Sequence, residues 1–371
     1  MKWWQKLKGN PLARWGAIVL GILYAIALFA EFVAPYDPYS IQSQGALLPP
    51  TAIHWQDATG QFRGPHVYPT TLGPTDLNTG DRPLRIDRSQ PSPLRVVAVG
   101  PEYRLWGLIP ARHHLFGTAG PGRWNLMGTD EQGRDQFSRL VYGSRISLSI
   151  GLVGILISFP IGLLVGGLSG YFGGWIDGVT MRLTEVLMTI PGIYLLVALA
   201  AVLPPGLSSA QRFFLIVAIT SFISWSGLAR VIRGQVLSIK ERPFVQAERA
   251  MGAGTLRIVV LHVLPQTATY TIISATLAVP SFIVSESVLS LVGLGIQQPD
   301  PSWGNLLSLG TNASILTLQP WLVWPPAIAI VLTVLSFNLL GDGLRDALDP
   351  RSFRRSSDPT GDPTGDPTGN L

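Results

Sequence analysis

The sequence predicts an all-α integral membrane protein with six transmembrane helices, and three observations support this fold class. Hydrophobic residues make up 47% of the 371 residues and charged residues only 13%, a composition too apolar for an ordinary soluble domain. Apolar runs of about 20 residues, the length that crosses the bilayer core, recur along the chain. The 40 glycines and 30 prolines are typical of membrane helices, in which both residues are more frequent than in soluble helices.

The six predicted spans share this length and carry few charges. They are residues 15–34, 146–168, 186–204, 213–232, 267–293 and 321–340. The first span follows Lys2, Lys6, Lys8 and Arg14. It is longer than the core of a signal peptide and lacks an A-x-A cleavage pattern, so we expect it to be retained as an anchor.

The distribution of basic residues predicts the orientation of the spans. Residues 233–257, after the fourth span, contain five lysines and arginines, whereas residues 297–320 contain none. Under the positive-inside rule the first segment is cytoplasmic, the second is extracytoplasmic, and both termini are cytoplasmic. Such loops account for the net charge of +5, and no nucleic-acid partner is expected.

Four regions follow from this layout. They are an N-terminal cytoplasmic segment with the first span (1–35), a periplasmic insert (36–144), the main transmembrane domain (145–350) and a C-terminal tail (351–371). The tail repeats DPTG over residues 358–369 and has no apolar side chain to bury, so we expect a disordered cytoplasmic tail.

The insert is too long for a simple loop. Its stretch LRVVAVGPEYRLWGLI, residues 94–109, predicts two short strands around a turn at Gly100 and Pro101. The pattern leaves open whether the insert is a small subdomain or a mostly irregular segment packed on the membrane domain.

A patterned stretch between the fourth and fifth spans, FVQAERAMGAGTLRIVVLHVLPQ, predicts two short helices. Phe244, Ala247 and Met251 recur at helical spacing and form one apolar face. Gly252 can take the left-handed conformation that ends a helix, and Thr255 can cap the next helix. An exposed apolar face needs a cover, either the ends of the chain's own spans or a partner.

This stretch resembles the EAA loop of ABC-importer permeases. The residues that carry the resemblance are Gln246, Ala247, Glu248, Gly252, Val263, Leu264 and Pro265. Two positions depart from the family pattern, because Gln246 replaces its leading Glu and Glu248 its second Ala. The segments 128–148, 226–242, 285–307 and 337–351 resemble the C-type permease subunit of dipeptide and oligopeptide importers, so the resemblance covers nearly all of residues 128–351. Residues 36–127 exceed the usual first periplasmic loop of that family.

The resemblance implies a type I ABC importer fold and a set of partners. These are a second homologous permease, two cytoplasmic ABC ATPases and an extracytoplasmic solute-binding protein, all acting at the cell inner membrane. It also implies that the EAA-like loop, residues 244–265, docks an ATPase. The docking residues are Phe244, Gln246, Ala247, Glu248, Met251, Gly252, Leu264 and Pro265. Peptides are the expected solute class, although related importers carry nickel complexes or glutathione.

The sequence offers no catalytic motif of its own. It contains no G-x-x-x-x-G-K-[ST] phosphate loop, no H-E-x-x-H and no nucleophile elbow, and it has no cysteine. The pair His113 and His114 could bind a metal, but paired surface histidines are more often solvated. We therefore expect no enzyme activity, cofactor or metal. Two other functions compete with that of an ATP-driven importer permease. One is an ion-coupled secondary transporter, which predicts ionisable or unwound sites near the midplane, and the other is a membrane-embedded enzyme, which needs a catalytic motif.

Polar residues within the spans are the candidates for contact with the solute, since such groups usually face a protein interior or a cavity. They are Glu286, Ser224, Ser226 and Asn338. For Glu286, pairing with an arginine or reaching the interface is favoured over lining the pathway. The other three can line the pathway or hydrogen-bond between helices, and helix packing is the commoner use of such residues.

Overall fold

The computed structural model describes residues 3–74, 82–189, 191–202, 204 and 206–348, and in this part of the chain it is mostly helical. The helices are α1 Trp3–Gly9, α2 Pro11–Leu28, α3 Ala30–Val33, α4 Gln136–Phe172, α5 Gly174–Thr189, α6 Gly192–Ala201, α7 Ser209–Ile239, α8 Pro243–Ala250, α9 Thr255–Arg257, α10 Ala268–Leu291, α11 Trp303–Leu307, α12 Ala313–Leu318 and α13 Trp324–Leu348. The predicted tail, 351–371, lies outside the described residues.

Five segments of the described chain are long and apolar enough to cross a membrane. They are Pro11–Leu28, Gln136–Phe172, Gln211–Ile239, Thr255–Leu291 and Pro320–Leu348, and they correspond to five of the six predicted spans. The third predicted span, 186–204, is divided between α5 and α6, neither of which is long enough alone. Pro191 directly precedes α6, and proline cannot donate the hydrogen bond that would continue the preceding helix. The count of six crossings therefore stays a prediction.

The long helices pack around α4. Its most extensive contact is with α7, α10 packs against both α4 and α13, and α2 lies against α13. Small residues allow the close approach, as is common between membrane helices. A Cβ atom added to Gly154 on α4 would lie 2.6 Å from the Phe282 ring on α10. The main apolar core, which includes Leu148, Ile283 and Trp303, lies between these helices.

The bundle has two ends. The insert end carries residues 34–135 and 292–323, and the loop end carries the EAA-like loop between α7 and α10. Helix α4 begins at the insert end, where the Asp135 carboxylate accepts a hydrogen bond from the Ser138 N–H at 2.7 Å. Burial raises the pKa of Asp135 to about 6, because removal from water disfavours the charged form of a carboxyl group.

The insert is built from β-strands, so the all-α description holds for the membrane domain alone. A four-stranded antiparallel sheet has the order β1-β2-β5-β6, and β3 pairs with β4. The strands are β1 His54–Gln56, β2 Phe62–Val67, β3 Thr70–Leu72, β4 Leu84–Ile86, β5 Ser92–Leu105 and β6 Ile109–Thr118. These strands in the described residues favour a subdomain over a mostly irregular segment, and the bounds of the insert stay a prediction.

The predicted hairpin turn at Gly100 and Pro101 is wrong. Strand β5 runs through both residues to Leu105, and the chain reverses at Trp106 and Gly107. The pairing between β5 and β6 is irregular between Val99 and Tyr103. A proline lacks the N–H for the ladder, so the Gly-Pro pair interrupts the register of a longer strand and does not end it.

The paired histidines differ from the solvated pair that the sequence favours. His114 is buried, and its two ring nitrogens lie 2.6 Å from the Ala34 carbonyl oxygen and 3.3 Å from the Pro101 carbonyl oxygen. His114 therefore joins the hairpin to the chain that follows α3. Among the described residues no group of three His, Asp or Glu side chains could hold a metal ion.

Candidate functional site

The EAA-like loop consists of a short helix, a glycine turn and a second helical segment. Helix α8 has Pro243 in its first turn, a position where its missing N–H costs nothing. Gly252 follows with φ +80°, the left-handed conformation expected from the sequence. The second segment starts at α9, but Gly254 and not Thr255 is its N-cap. It continues as a π-helix, Ile258–Val263, and a 3-10 turn, Leu264–Thr267, that leads into α10.

One face of the loop packs on the bundle. Val245, Ile258, Val259 and Val263 are buried together with residues of α4 and α7, including Val236. The buried residue of α8 is thus Val245, which was not predicted from the sequence. Val245 lies off the apolar face formed by Phe244, Ala247 and Met251, and only its tertiary contacts identify it as buried.

The opposite face of the loop is exposed and apolar. Phe244 is 38% exposed, Met251 73% and Leu256 64%, and Ala247 is also exposed. The apolar face predicted from the sequence is therefore not covered by the described spans of this chain.

Polar contacts fix the orientation of α8. The Arg249 Nε donates to the Tyr171 hydroxyl at 2.9 Å, and the Arg249 guanidinium lies 4.7 Å from the centroid of the Tyr171 ring. The Lys240 ammonium donates to the Gly170 carbonyl oxygen at 3.0 Å, where a helix end leaves carbonyl groups without intrahelical partners. The first contact joins the loop to the end of α4, and the second joins the end of α7 to it.

The two departures from the EAA pattern have local partners. The Gln246 Nε2 donates to the Lys240 carbonyl oxygen at 3.1 Å and lies 3.5 Å from the Glu241 Oε2. The Glu248 Oε1 lies 3.6 Å from the His262 Nε2, across the glycine turn. Gln246 therefore uses its donor group, which a glutamate at this position would lack.

A charged cluster at the loop end ties α5 to its neighbours. The Arg233 Nε of α7 donates to the Asp177 Oδ1 at 2.8 Å, and the Ser169 hydroxyl of α4 donates to the same oxygen at 2.6 Å. The hydrogen bond from Arg233 holds the pKa of the Asp177 carboxyl below its usual range. The cluster therefore joins α5 to α4 and α7 at the loop end of the bundle.

The last two residues of the motif lie where the loop enters α10. Leu264 is half-buried, and a Cβ atom on Gly167 of α4 would come within 2.9 Å of its Cδ2. Pro265 is exposed and stands in the 3-10 turn. Leu264 therefore contacts the bundle, and Pro265 shapes the entry to the helix.

A cavity of about 240 Å³ lies between α6, α7 and α10. Its lining includes the predicted pathway residue Ser224, whose hydroxyl donates to the Thr220 carbonyl oxygen at 2.7 Å. The other hydroxyl-bearing residues of the lining are Thr220, Ser281 and Ser285. Ser281 and Ser285 were not among the residues predicted from the sequence, although their spacing of four residues places them on one face of a helix.

The structure does not bring the other three predicted pathway residues to this cavity. Ser226 is buried and donates to the Ile223 carbonyl oxygen at 2.9 Å, and Asn338 is exposed on α13. Glu286 is fully buried, and its Oε1 accepts hydrogen bonds from the Ser302 hydroxyl at 2.7 Å and the Ser290 hydroxyl at 2.8 Å. Among the described residues no arginine forms an ion pair with Glu286, which was one of the two roles favoured from the sequence; the other, reaching the interface, stays a prediction.

Two protein families match parts of this chain. Residues 158–354 match the family described as the binding-protein-dependent transport system inner membrane component. Residues 2–50 match the N-terminal transmembrane domain of oligopeptide transport permease C. The first match contains the whole EAA-like loop and the cavity residues.

Curated relatives extend the similarity beyond the membrane domain. The dipeptide transport system permease of Bacillus subtilis (strain 168) is 35% identical over 348 residues, which cover 94% of this chain and 84% of the relative. The oligopeptide transport system permease of Haemophilus influenzae is 42% identical over 246 residues, 66% of this chain and 75% of the relative. The glutathione transport system permease of Pectobacterium atrosepticum is 39% identical over 232 residues, 62% of this chain and 74% of the relative.

Among solved structures, a chain of the inward-facing MetNI methionine ABC transporter aligns with a TM-score of 0.42 at 20% identity, covering 57% of this chain and 98% of that chain.

The family match and the extended identity to the Bacillus relative confirm the resemblance seen in the sequence. The chain belongs to the family of binding-protein-dependent transport system inner membrane components, as a multi-pass permease.

Proposed function

We propose that this chain is the permease subunit of an ATP-driven importer of peptides or related small solutes, in which it forms half of the translocation pathway. The observation that carries the proposal is the EAA-like loop. One face of the loop packs on α4 and α7, and the opposite face is apolar and exposed. Relatives named as dipeptide and oligopeptide permeases support the solute class.

In the proposed assembly two cytoplasmic ABC ATPases supply the energy, and one of them docks on Phe244, Ala247 and Met251. A second homologous permease completes the pathway, and an extracytoplasmic solute-binding protein delivers the solute at the insert end. The loop end and both termini are cytoplasmic, as the basic residues of segment 233–257 indicate. The chain itself hydrolyses no ATP.

Closure of the ATPases moves the docked helix α8, and its contacts with α4 pass this motion to the bundle. The bundle then changes between inward-facing and outward-facing arrangements as a two-state equilibrium biased by nucleotide. The hydroxyl-lined cavity beside Ser224 faces α6, and hydroxyl groups can both donate to and accept from a peptide backbone. We assign this cavity to the pathway.

Two substitutions of Met251 test the docking face. Met251→Asp places a charge where an apolar contact worth about 1.5–3 kcal/mol forms on burial of such a side chain, and we expect the ATPases to be lost from the purified complex. Met251→Leu keeps the apolar surface and serves as the matched control. Wild-type recovery of the ATPases with Met251→Asp would refute the docking role.

Transport assays separate the proposal from the alternatives. Uptake into vesicles reconstituted with permeases and ATPases should stop without ATP. Ion-driven uptake by the permease alone would favour a secondary transporter, and a chemically altered solute would favour a membrane enzyme.

A further inference from the structure

The turn that joins β5 to β6 has an unusual composition. The Leu108 N–H donates to the Leu105 carbonyl oxygen at 3.0 Å, and the two residues between them, Trp106 and Gly107, have φ +54° and +74°. Two positive φ angles are typical of a type I′ turn, in which Asn-Gly or Gly-Gly is preferred. A bulky residue is unfavourable at positive φ, so the Trp106 ring must make contacts that offset this cost.

Those contacts join the turn to the end of a predicted membrane span. The Trp106 indole Nε1 donates to the carbonyl oxygen of Leu28 at 2.9 Å, and its ring centroid lies 5.6 Å from that of Phe29. Leu28 is the last residue of α2, which qualifies as a membrane-crossing helix. The hairpin therefore reaches from the sheet of the insert down to the membrane domain.

The tip lies level with the outer part of the spans. Gly107 lines an open groove together with Tyr24 of α2 and Leu152 of α4. Tyr24 lies four residues, or ~6 Å, inside the end of α2 at the helical rise of 1.5 Å per residue. A depth of ~6 Å corresponds to the boundary between headgroups and acyl chains, where interfacial segments of proteins lie.

The side chains at the tip are apolar and exposed. Leu108 is 78% exposed, and Trp106 and Ile109 are also exposed. The neighbouring Leu28 and Phe29 extend the same surface. A contiguous exposed apolar surface of this kind marks contact with a partner or a membrane, and its continuity with α2 selects the membrane.

Polarity changes along the hairpin in the order that a bilayer interface requires. Arg104, two residues before Trp106, is exposed, and at the strand rise of ~3.3 Å per residue it stands ~7 Å further from the tip. Aromatic rings concentrate at the headgroup level of membranes, and arginine side chains extend from apolar surface towards phosphate.

Grooves flank the tip on both sides of α2. One has a volume of about 630 Å³ and contains Gly107 and Leu152. The other, of about 570 Å³, is lined by residues of α2, α3 and β5, including Leu105, and by Phe29 between the two helices. Both are open and predominantly apolar, which suits flexible acyl chains.

From these features we propose that the β5–β6 hairpin is a membrane anchor of the insert. Its tip, Trp106 to Ile109, lies in the interfacial region of the bilayer, and its partner is phospholipid whose acyl chains occupy the two grooves. The anchor fixes the insert relative to the first span. The proposal requires that the spans cross a bilayer, but it is independent of the solute and of ATPase docking.

Spin labelling tests this placement, since the native chain has no cysteine. The probe site is Leu108→Cys at the tip, and the matched control is Val96→Cys, which is 82% exposed on the same hairpin. Val96 precedes Trp106 by ten residues, ~33 Å along an extended strand. Each variant is labelled with a nitroxide in the assembled transporter in phospholipid vesicles, and its collision rates with oxygen and with a water-soluble nickel chelate are measured.

Oxygen concentrates in lipid and the chelate in water. We expect the ratio of oxygen to chelate collisions to be several-fold higher at position 108 than at position 96. Equal ratios would place the tip in water and overturn the proposal. Protection of position 108 from both reagents would show a protein partner, such as the second permease, and would also overturn it.

Discussion

Arg249 of the loop helix and Tyr171 at the end of α4 are joined by a hydrogen bond of 2.9 Å and by stacking of the guanidinium over the phenol ring at 4.7 Å. The hydrogen bond fixes a distance, and the stacking fixes the direction from which α8 approaches. Because α4 makes the most extensive helix contact in the bundle, with α7, this pair is placed to pass a displacement of the loop into the membrane domain.

Tyr171→Phe separates the two components of this contact. It removes the acceptor hydroxyl and keeps the ring, so a cation–π interaction of about 0.5–1 kcal/mol remains. We expect a small loss of solute-stimulated ATP hydrolysis and a larger loss with Arg249→Ala. Arg249→Lys keeps the charge without the planar group and should fall between them. Equal activity of Arg249→Ala and the wild type would show that the pair does not couple the loop to α4.

Gly252 is predicted to be required for its backbone conformation and not for space. Nothing lies within 4 Å of a Cβ atom placed there, yet φ is +80°. Gly252→Val should cost about 1–2 kcal/mol for a left-handed residue and reduce transport per ATP hydrolysed, whereas Gly252→Asn, a residue that tolerates this region, should retain more coupling. Membrane insertion of both variants, measured by fractionation, should be unchanged. Equal coupling ratios for the two variants would contradict the conformational explanation.

Gln246→Glu restores the acid of the EAA pattern, but the structure predicts a local cost. The new side chain would lose the hydrogen bond to the Lys240 carbonyl and place a carboxylate beside Glu241. Because these groups are exposed, the repulsion should amount to only a few tenths of a kcal/mol. We expect slightly weaker ATPase binding, partly restored by the additional change Glu241→Gln. Tighter binding by Gln246→Glu alone would show that the ATPase supplies a cation for this position.

Glu286 is predicted to act as a hydrogen-bond acceptor that holds the segment after α10. Its Oε1 accepts from Ser302 and Ser290, and the Ser302 hydroxyl also accepts from the Asn305 N–H at 3.0 Å. Glu286→Gln keeps an acceptor oxygen and should unfold near the wild-type temperature in detergent. Glu286→Leu leaves buried hydroxyls without an acceptor, at about 1–3 kcal/mol for an unsatisfied group, and should unfold at a clearly lower temperature. An equal loss in both variants would contradict the acceptor role.

Much of the helical layout was predictable because apolar length and helix breakers are local properties of the chain. The third span and the insert show the limit of this reasoning. Pro191 divides an apolar run that length alone would accept, and β5 continues through Gly100 and Pro101 because its pairing with β6 outweighs the local turn preference.

The loop illustrates the same limit at the level of side chains. Helical spacing selected Phe244, Ala247 and Met251 as one apolar face, and these residues are exposed. It could not select Val245 as the buried residue, or Tyr171 as the partner of Arg249, because α4 lies far away in sequence. Helical spacing also could not show which polar residues of the spans share a cavity, and of the four candidates only Ser224 lines the one between α6, α7 and α10.

The orientation of the spans is the last prediction, and exposed alanines allow it to be tested without disturbing a contact. Asp300 would be a poor reporter of the 297–320 segment, because its carboxylate accepts a hydrogen bond from the Tyr39 hydroxyl. Ala313 in that segment and Ala250 at the end of α8 are both exposed and small. The basic residues around Ala250 predict that it is cytoplasmic, and the segment without lysine or arginine is predicted to be extracytoplasmic. An impermeant thiol reagent added to intact cells should therefore label Ala313→Cys, whereas Ala250→Cys should react only after the membrane is permeabilised. Labelling of Ala250→Cys but not Ala313→Cys in intact cells would invert the topology and place the EAA-like loop beyond the reach of a cytoplasmic ATPase.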